Sequence, residues 1–189
     1  LMYKNGEFPE YERYNREMEE YLAEALISTE KEADVWAYEY ARKKAAYLKE
    51  HPEMPHYFIG CGNQYGATYS YAMCYWEEQM WIRTKSISAP EFFHGMQEII
   101  TADTPVTLFV GEDEQRPLAE RVARFLPKVC ANYTIIDTKE FELKGISEEF
   151  RGSISHHVMR AVNARVDAYM ELFLRHPLSV RRYYRQFDY

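Results

Sequence analysis

The sequence predicts an α/β fold of three layers, a parallel sheet with helices on both faces, preceded by an N-terminal helical segment. Short apolar runs alternate with helix-like stretches from His56 onward, and the runs have the texture of strands buried on both sides. Residues 8–50, by contrast, place apolar side chains at helical spacing, with no glycine after Gly6.

In the helical segment Ala33, Trp36, Ala37, Tyr40, Ala41 and Leu48 recur at intervals of three and four, while Glu and Lys fill the other faces. A pair of long helices is expected, broken near Ser28, where Ser28 and Thr29 precede "EKEAD" as an N-cap precedes an acidic first turn. Pro52 and Pro55 then stop the second helix, because neither can continue it. "HYFIG" reads as a strand, "CGNQYG" as a glycine turn and "ATYSYAMCYWEEQMWI" as a helix. "TKSIS" is a strand leading into the loop "APEFFHGMQEI". "TPVTLFVGED" (strand), "QRPLAERVARFLPKV" (helix) and "NYTIIDT" (strand) follow, before a long helix from about Ser147 to Arg175. Right-handed crossovers are expected throughout. The division is residues 1–52 as a helical linker or hairpin and 53–189 as the α/β domain with its tail.

At 189 residues the chain can bury a core without staples. Cys61, Cys74 and Cys130 show neither a C-x-x-C pair nor metal spacing, so no disulfide framework, no metal and a reducing cytoplasm are expected. A net charge of -7 argues against a nucleic-acid surface, which needs clustered Lys and Arg. No apolar run approaches the roughly 20 residues of a membrane helix, and the first residues lack the pattern of a signal peptide. Leu1 suggests a fragment. Partners should be small molecules or proteins. The tail "HPLSVRRYYRQFDY" sets Arg181, Arg182 and Arg185 among aromatics, as a lid over an anionic ligand or a strip docked on acidic surface.

Three places carry candidate chemistry. The turn from Gly60 to Gly66 opens a helix, and its backbone N–H groups offer an anion site at the carboxyl end of the first strand. Its spacing is not G-x-G-x-x-G, no acid follows for a ribose, and no Walker lysine is present, so no nucleotide cofactor is expected. Gly62, Asn63, Gln64 and Tyr65 remain as substrate-binding candidates or as plain turn chemistry. Glu77 and Glu78 lie in an otherwise apolar helix; helical spacing puts Glu78 beside Cys74, Tyr75, Trp81 and Ile82, where lost hydration would raise its pKa and suit it to proton transfer. Periodicity does not separate it from Glu77. His94 stands between aromatics and Gly95, and histidine as a residue type suits an acid or base role, though a lone histidine also serves packing.

Taken together, "YFIGCGNQYGATYSYAMCYWEEQMW" and "KSISAPEFFHGMQEIITADTPVTLFVGEDEQRPLAERVARFL" resemble the second sugar isomerase (SIS) domain of the phosphosugar isomerases. The shared pattern is a helix glutamate, the histidine of an E-x-x-H-G box sixteen residues on, and a strand opened by D-T-P; here these are Glu78, His94 and "ADTPVTLFV". "GEDEQRPLAERVARFL" and the R-R-Y tail, with its acid-aromatic end, resemble the branch acting on phosphorylated Amadori compounds, such as the fructoselysine-6-phosphate deglycases. The box reads H-G-M where H-G-P is usual, and the Ser/Thr-rich phosphate loop of the family's first SIS domain is not visible.

The resemblance implies Glu78 as the base, His94 as ring opener or general acid supplied by the neighbouring subunit of a homodimer, a sugar-phosphate substrate and no cofactor. Arg182 in the tail is a further substrate-binding candidate. A ketose-aldose isomerase, a sugar-phosphate-sensing SIS domain and a purely structural dimerisation unit stand as alternatives.

Overall fold

The computed structural model describes residues 3–188; Leu1, Met2 and Tyr189, the aromatic half of the terminal acid-aromatic pair, lie outside them. Helices α1 (Tyr11–Glu32) and α2 (Asp34–Glu50) precede β1 (His56–Gly60). Helix α3 (Asn63–Ser70) runs into a π-helical segment (Tyr71–Glu77) and then β2 (Thr84–Ser88) and the short α4 (Ala89–Phe92). Strand β3 (Val106–Val110), α5 (Arg116–Phe125), β4 (Tyr133–Asp137) and α6 (Glu148–Leu174) complete the chain.

All four strands are parallel, in the order β2-β1-β3-β4. Ile59 on β1 faces Ile87 on β2 and Leu108 on β3, and Leu108 faces Ile135 on β4. Strand alternation sends Phe58, Phe109 and Ile136 to one face, against α2, the π segment and α6. Ile59, Leu108 and Val110 go to the other, against Ala89 and Phe92 of α4 and Ala119 and Val122 of α5. The result is the expected three layers. On the first face Phe58 meets Trp76 edge-on (4.9 Å between centroids, 82°) and stacks on Phe109 (5.9 Å, 12°). Each ring is fully buried, worth about 2–3 kcal/mol by area.

The expected pair of long helices is present, but the chain does not break at Ser28. Ser28 Oγ donates along the helix to Glu32 (2.9 Å) instead of capping, and Thr29 Oγ1 donates back to the Ala25 carbonyl (3.0 Å), a bond that bends helices without ending them. The interruption falls at Ala33, which keeps right-handed dihedrals (φ −72°, ψ −13°), donates to Thr29 and accepts from Ala37. The segment is a kinked continuation, and its Ala37, Tyr40 and Ala41 share one core with Phe58 and Phe109. At the far end Glu17 accepts from both the N–H and the hydroxyl of Ser147 (2.7 and 2.8 Å), tying α1 to the start of α6.

Candidate active site

Two open clefts flank the sheet, one at each end of its strands. The cleft at the amino ends of β1 and β2 has a volume of about 910 Å³ and is walled by Glu77, Glu78, Trp81, Arg83, Lys85, Arg181, Arg182, Tyr183 and Tyr184, among others. It therefore joins Glu78 to Arg182, two residues a hundred positions apart. The tail is docked, not splayed. Arg181 Nε donates to Glu78 Oε1 (2.8 Å), Arg182 lies 4.4 Å over the Trp81 ring, and His176 contacts both that ring (4.3 Å) and the Gln79 carbonyl through Nε2 (2.9 Å).

The π segment decides how the paired glutamates point. Met73 accepts from the Glu78 N–H and Tyr75 from the Met80 N–H (each 3.0 Å), bonds that reach five residues back. This wider turn shifts the register, and of the neighbours assigned to Glu78 by ordinary helical spacing, Trp81 and Ile82 line the same cleft. Glu78 is exposed at the cleft wall beside a guanidinium, not desolvated on an apolar face, and the burial on which the sequence argument for a proton-transferring base rested is absent. Glu77 is committed elsewhere: it accepts from the N–H (3.3 Å) and hydroxyl (2.6 Å) of Thr84 and so fastens the entry to β2. Trp81, next along, has φ +59°, a strain of about 1–3 kcal/mol for a bulky residue, held by the ring contacts of His176 and Arg182.

Burial and charge beneath the segment come from α6. The hydroxyl of Tyr71 donates to Asp167 (2.8 Å), Arg160 donates to the same carboxylate (3.1 Å), and the Arg160 guanidinium sits 4.4 Å over Tyr75. Burial pushes Asp167 up to about 6, against the smaller opposing pull of these two donors.

His94 lies beyond the other end of β2, in the turn after α4. Its N–H donates to the Glu91 carbonyl (2.9 Å), and Ser88 Oγ donates to the Glu91 carboxylate (2.5 Å), so Glu91 holds the turn. Phe92 and Phe93 anchor it against Phe125, leaving the imidazole exposed. Strand β2 alone spans about 13 Å at 3.3 Å per residue. Glu78 and His94 of one chain thus face opposite ends of the sheet, and His94 lines neither cleft.

The second cleft, about 1020 Å³, opens at the carboxyl ends of the strands. Gly62, Asn63 and Tyr65 line it, as the sequence suggested, but the offered anion site is already filled. Asp113 accepts from the N–H of Asn63 (2.7 Å) and of Gln115 (2.8 Å), while the Gly62 N–H donates to the Gln115 side chain (3.2 Å). Gly62 has φ +57°, and a Cβ there would lie 2.2 Å from Asp113 Oδ1, so only glycine fits. Gln64 is wholly buried with no hydrogen-bond partner on its amide and is not available to a ligand from this cleft. Burial pushes the Cys61 thiol up, and its Sγ donates to the Gln115 carbonyl (3.2 Å). Acidic side chains (Glu91, Glu112, Asp113, Glu114 and Glu149) dominate the wall, the reverse of what a phosphate seeks.

No family model matches the chain. Over 134 residues it is 35% identical to the fructosamine deglycase FrlB of Bacillus subtilis (strain 168), covering 70% of this chain and 40% of that protein. A solved Bacillus subtilis structure described as a candidate phosphosugar isomerase is 30% identical, with a TM-score of 0.76 over 85% of this chain and 48% of that one. This chain belongs to the SIS-domain phosphosugar isomerase family. A Salmonella typhimurium LT2 structure of like description shares the fold across the whole chain, at 23% identity and a TM-score of 0.87, over 56% of its own length. The chain spans less than half the length of the curated relative it matches.

Arg83 and Lys85 are cleft residues that sequence reasoning missed. Arg181 was named in the basic tail and Trp81 beside Glu78, but only the docked tail tells which guanidinium meets Glu78. A lysine on an edge strand carries no signal of its own.

Proposed function

We propose that the full protein is a deglycase that converts a 6-phosphofructosyl amino acid into glucose 6-phosphate and the free amino acid. The observation that supports it most is Glu78 itself, a carboxylate at the wall of a cleft furnished with Arg181, Arg182, Lys85 and tyrosines, in a chain 35% identical to a fructosamine deglycase. In such a substrate the amine is on C1 and the carbonyl on C2. Glu78 removes a C1 proton, the electron pair forms the C1–C2 double bond, and the C2 oxygen takes a proton to give the enaminol. Reprotonation at C2 moves unsaturation to the C1–N bond, and water hydrolyses that imine to the aldehyde and the amine. Arg182 and Lys85 supply positive charge for the phosphate or the amino acid carboxylate.

His94, as ring opener or general acid, enters this site from the neighbouring subunit of a homodimer. Its distance from Glu78 within one chain supports the shared arrangement. Free cysteines among the described residues agree with a cytoplasmic setting.

With full-length protein, Glu78→Gln should lose about 10²- to 10⁴-fold in glucose 6-phosphate release. Wild-type release from this variant would remove Glu78 as the base. Mixing Glu78→Ala with His94→Ala subunits should restore about a quarter of the activity, since half of randomly paired two-fold dimers are mixed and each regenerates one intact site. No recovery would assign both residues to one subunit's site.

A further inference from the structure

We infer that Arg181 is a positioning residue for Glu78, and that the tail from His176 to Arg182 is a strap that fixes the base for proton abstraction. This rests on the reading of Glu78 as the base.

The guanidinium is committed on several sides. Its Nε donates to Glu78 Oε1 (2.8 Å), and its Nη1 donates to the carbonyls of Leu178 (2.6 Å) and Val180 (3.0 Å). Two backbone carbonyls thus orient the planar fork before it meets the carboxylate. With Nε and both N–H groups of Nη1 engaged, only the two N–H groups of Nη2 remain, so no pair of nitrogens is left to form the fork that clamps a phosphate. Arg182 differs, because a ring contact with Trp81 holds its guanidinium and leaves N–H groups for an anion. The Arg181 side chain is 20% exposed against 42% for Glu78, so the donor is the better anchored partner of the pair.

The attachment extends past one ion pair. His176 grips the Gln79 carbonyl and the Trp81 ring, and Arg182 covers that ring, so residues 176–182 bind residues 78–81 at four points. Those four residues are the stretch released by the π segment, and Trp81 keeps its left-handed backbone there. With Oε1 held, Oε2 is the oxygen presented to the C1 proton. A flexible glutamate would have to find that geometry on every turnover; a held one begins in it.

The test uses the full-length protein, 6-phosphofructosyl amino acids as substrate, and Glu78→Gln as the parallel control. Arg181→Met should lower kcat about 10²-fold with KM near wild type, the split expected when an interaction acts on the reacting geometry and not on substrate binding. Added guanidinium ion should restore part of that kcat. Arg181→Lys should remain slow, because an ammonium cannot hold the carboxylate and two carbonyls in one plane. Circular dichroism and thermal midpoint, unchanged in both variants, separate positioning from folding. If Glu78→Gln is inactive and Arg181→Met turns over at or above the wild-type kcat, or loses rate only through KM, the strap is refuted while Glu78 stands as the base. If Glu78→Gln is fully active, the strap and the base assignment fall together.

Discussion

Asp167 makes the stability of this fold fall as pH rises through the weakly acid range. Its carboxyl is buried in α6, and burial lifts its pKa from 3.8 to about 6, with Tyr71 and Arg160 opposing. In the unfolded chain it loses its proton near the ordinary value, so between the two values the folded protein holds more protons than the unfolded one. Stability from this group is present below 3.8 and is lost as pH climbs through about 6. A lift of two units corresponds to about 3 kcal/mol. Arg160 recovers little of it, being half in solvent. Asp167→Asn removes the titration and keeps an oxygen for the Tyr71 hydroxyl. Urea unfolding followed by tryptophan fluorescence, at pH 4 and pH 7.5 for both proteins, isolates the effect, since every other titrating group cancels in the difference. Relative to the variant, wild type should lose about 2 kcal/mol between those conditions, because pH 4 already lies just above the unfolded value. A difference that stays constant with pH would refute the buried-carboxyl reasoning.

Thr107→Val strands two buried groups at once, because Thr107 Oγ1 serves both the Tyr40 hydroxyl and His56 Nε2 (2.8 Å each); a loss of about 2–4 kcal/mol in chemical denaturation is expected. Gly62→Ala forces a Cβ onto Asp113 at a left-handed position and should destabilise by about 2–3 kcal/mol, whereas Gly66→Ala, with open space around it, should not lower the thermal midpoint.

The strands were legible as short runs set between turns and helices: "HYFIG" and "TKSIS" match β1 and β2 residue for residue, though only the first is apolar and buried throughout. Parallel order and both covered faces follow from that texture. The helix kink was not legible, since Ser28 and Thr29 look like caps in sequence and become intrahelical donors only once the flanking residues are already helical. The π segment was hidden for a different reason. Its extra residue per turn accompanies contacts from Tyr71 and Tyr75 to α6, roughly ninety positions away, so no local spacing announces it. Periodicity left Glu77 and Glu78 alike, and only Thr84 and Arg181 tell their surroundings apart; that the amides of the glycine turn are already answered needed Asp113, fifty residues downstream. His94 is the opposite case: its motif was plain in the sequence, and the structure sets it at the other end of β2 from Glu78.

The carboxylate of Asp113 gives the carboxyl end of this sheet a resident that never dissociates. Any phosphate arriving from solution must compete with a rival attached to the same chain, whose effective concentration is about millimolar or higher whatever the ligand supply. A turn whose amides are answered by a side chain of the same chain is free of ligand saturation at that spot, and acts there as a scaffold and not as a receptor.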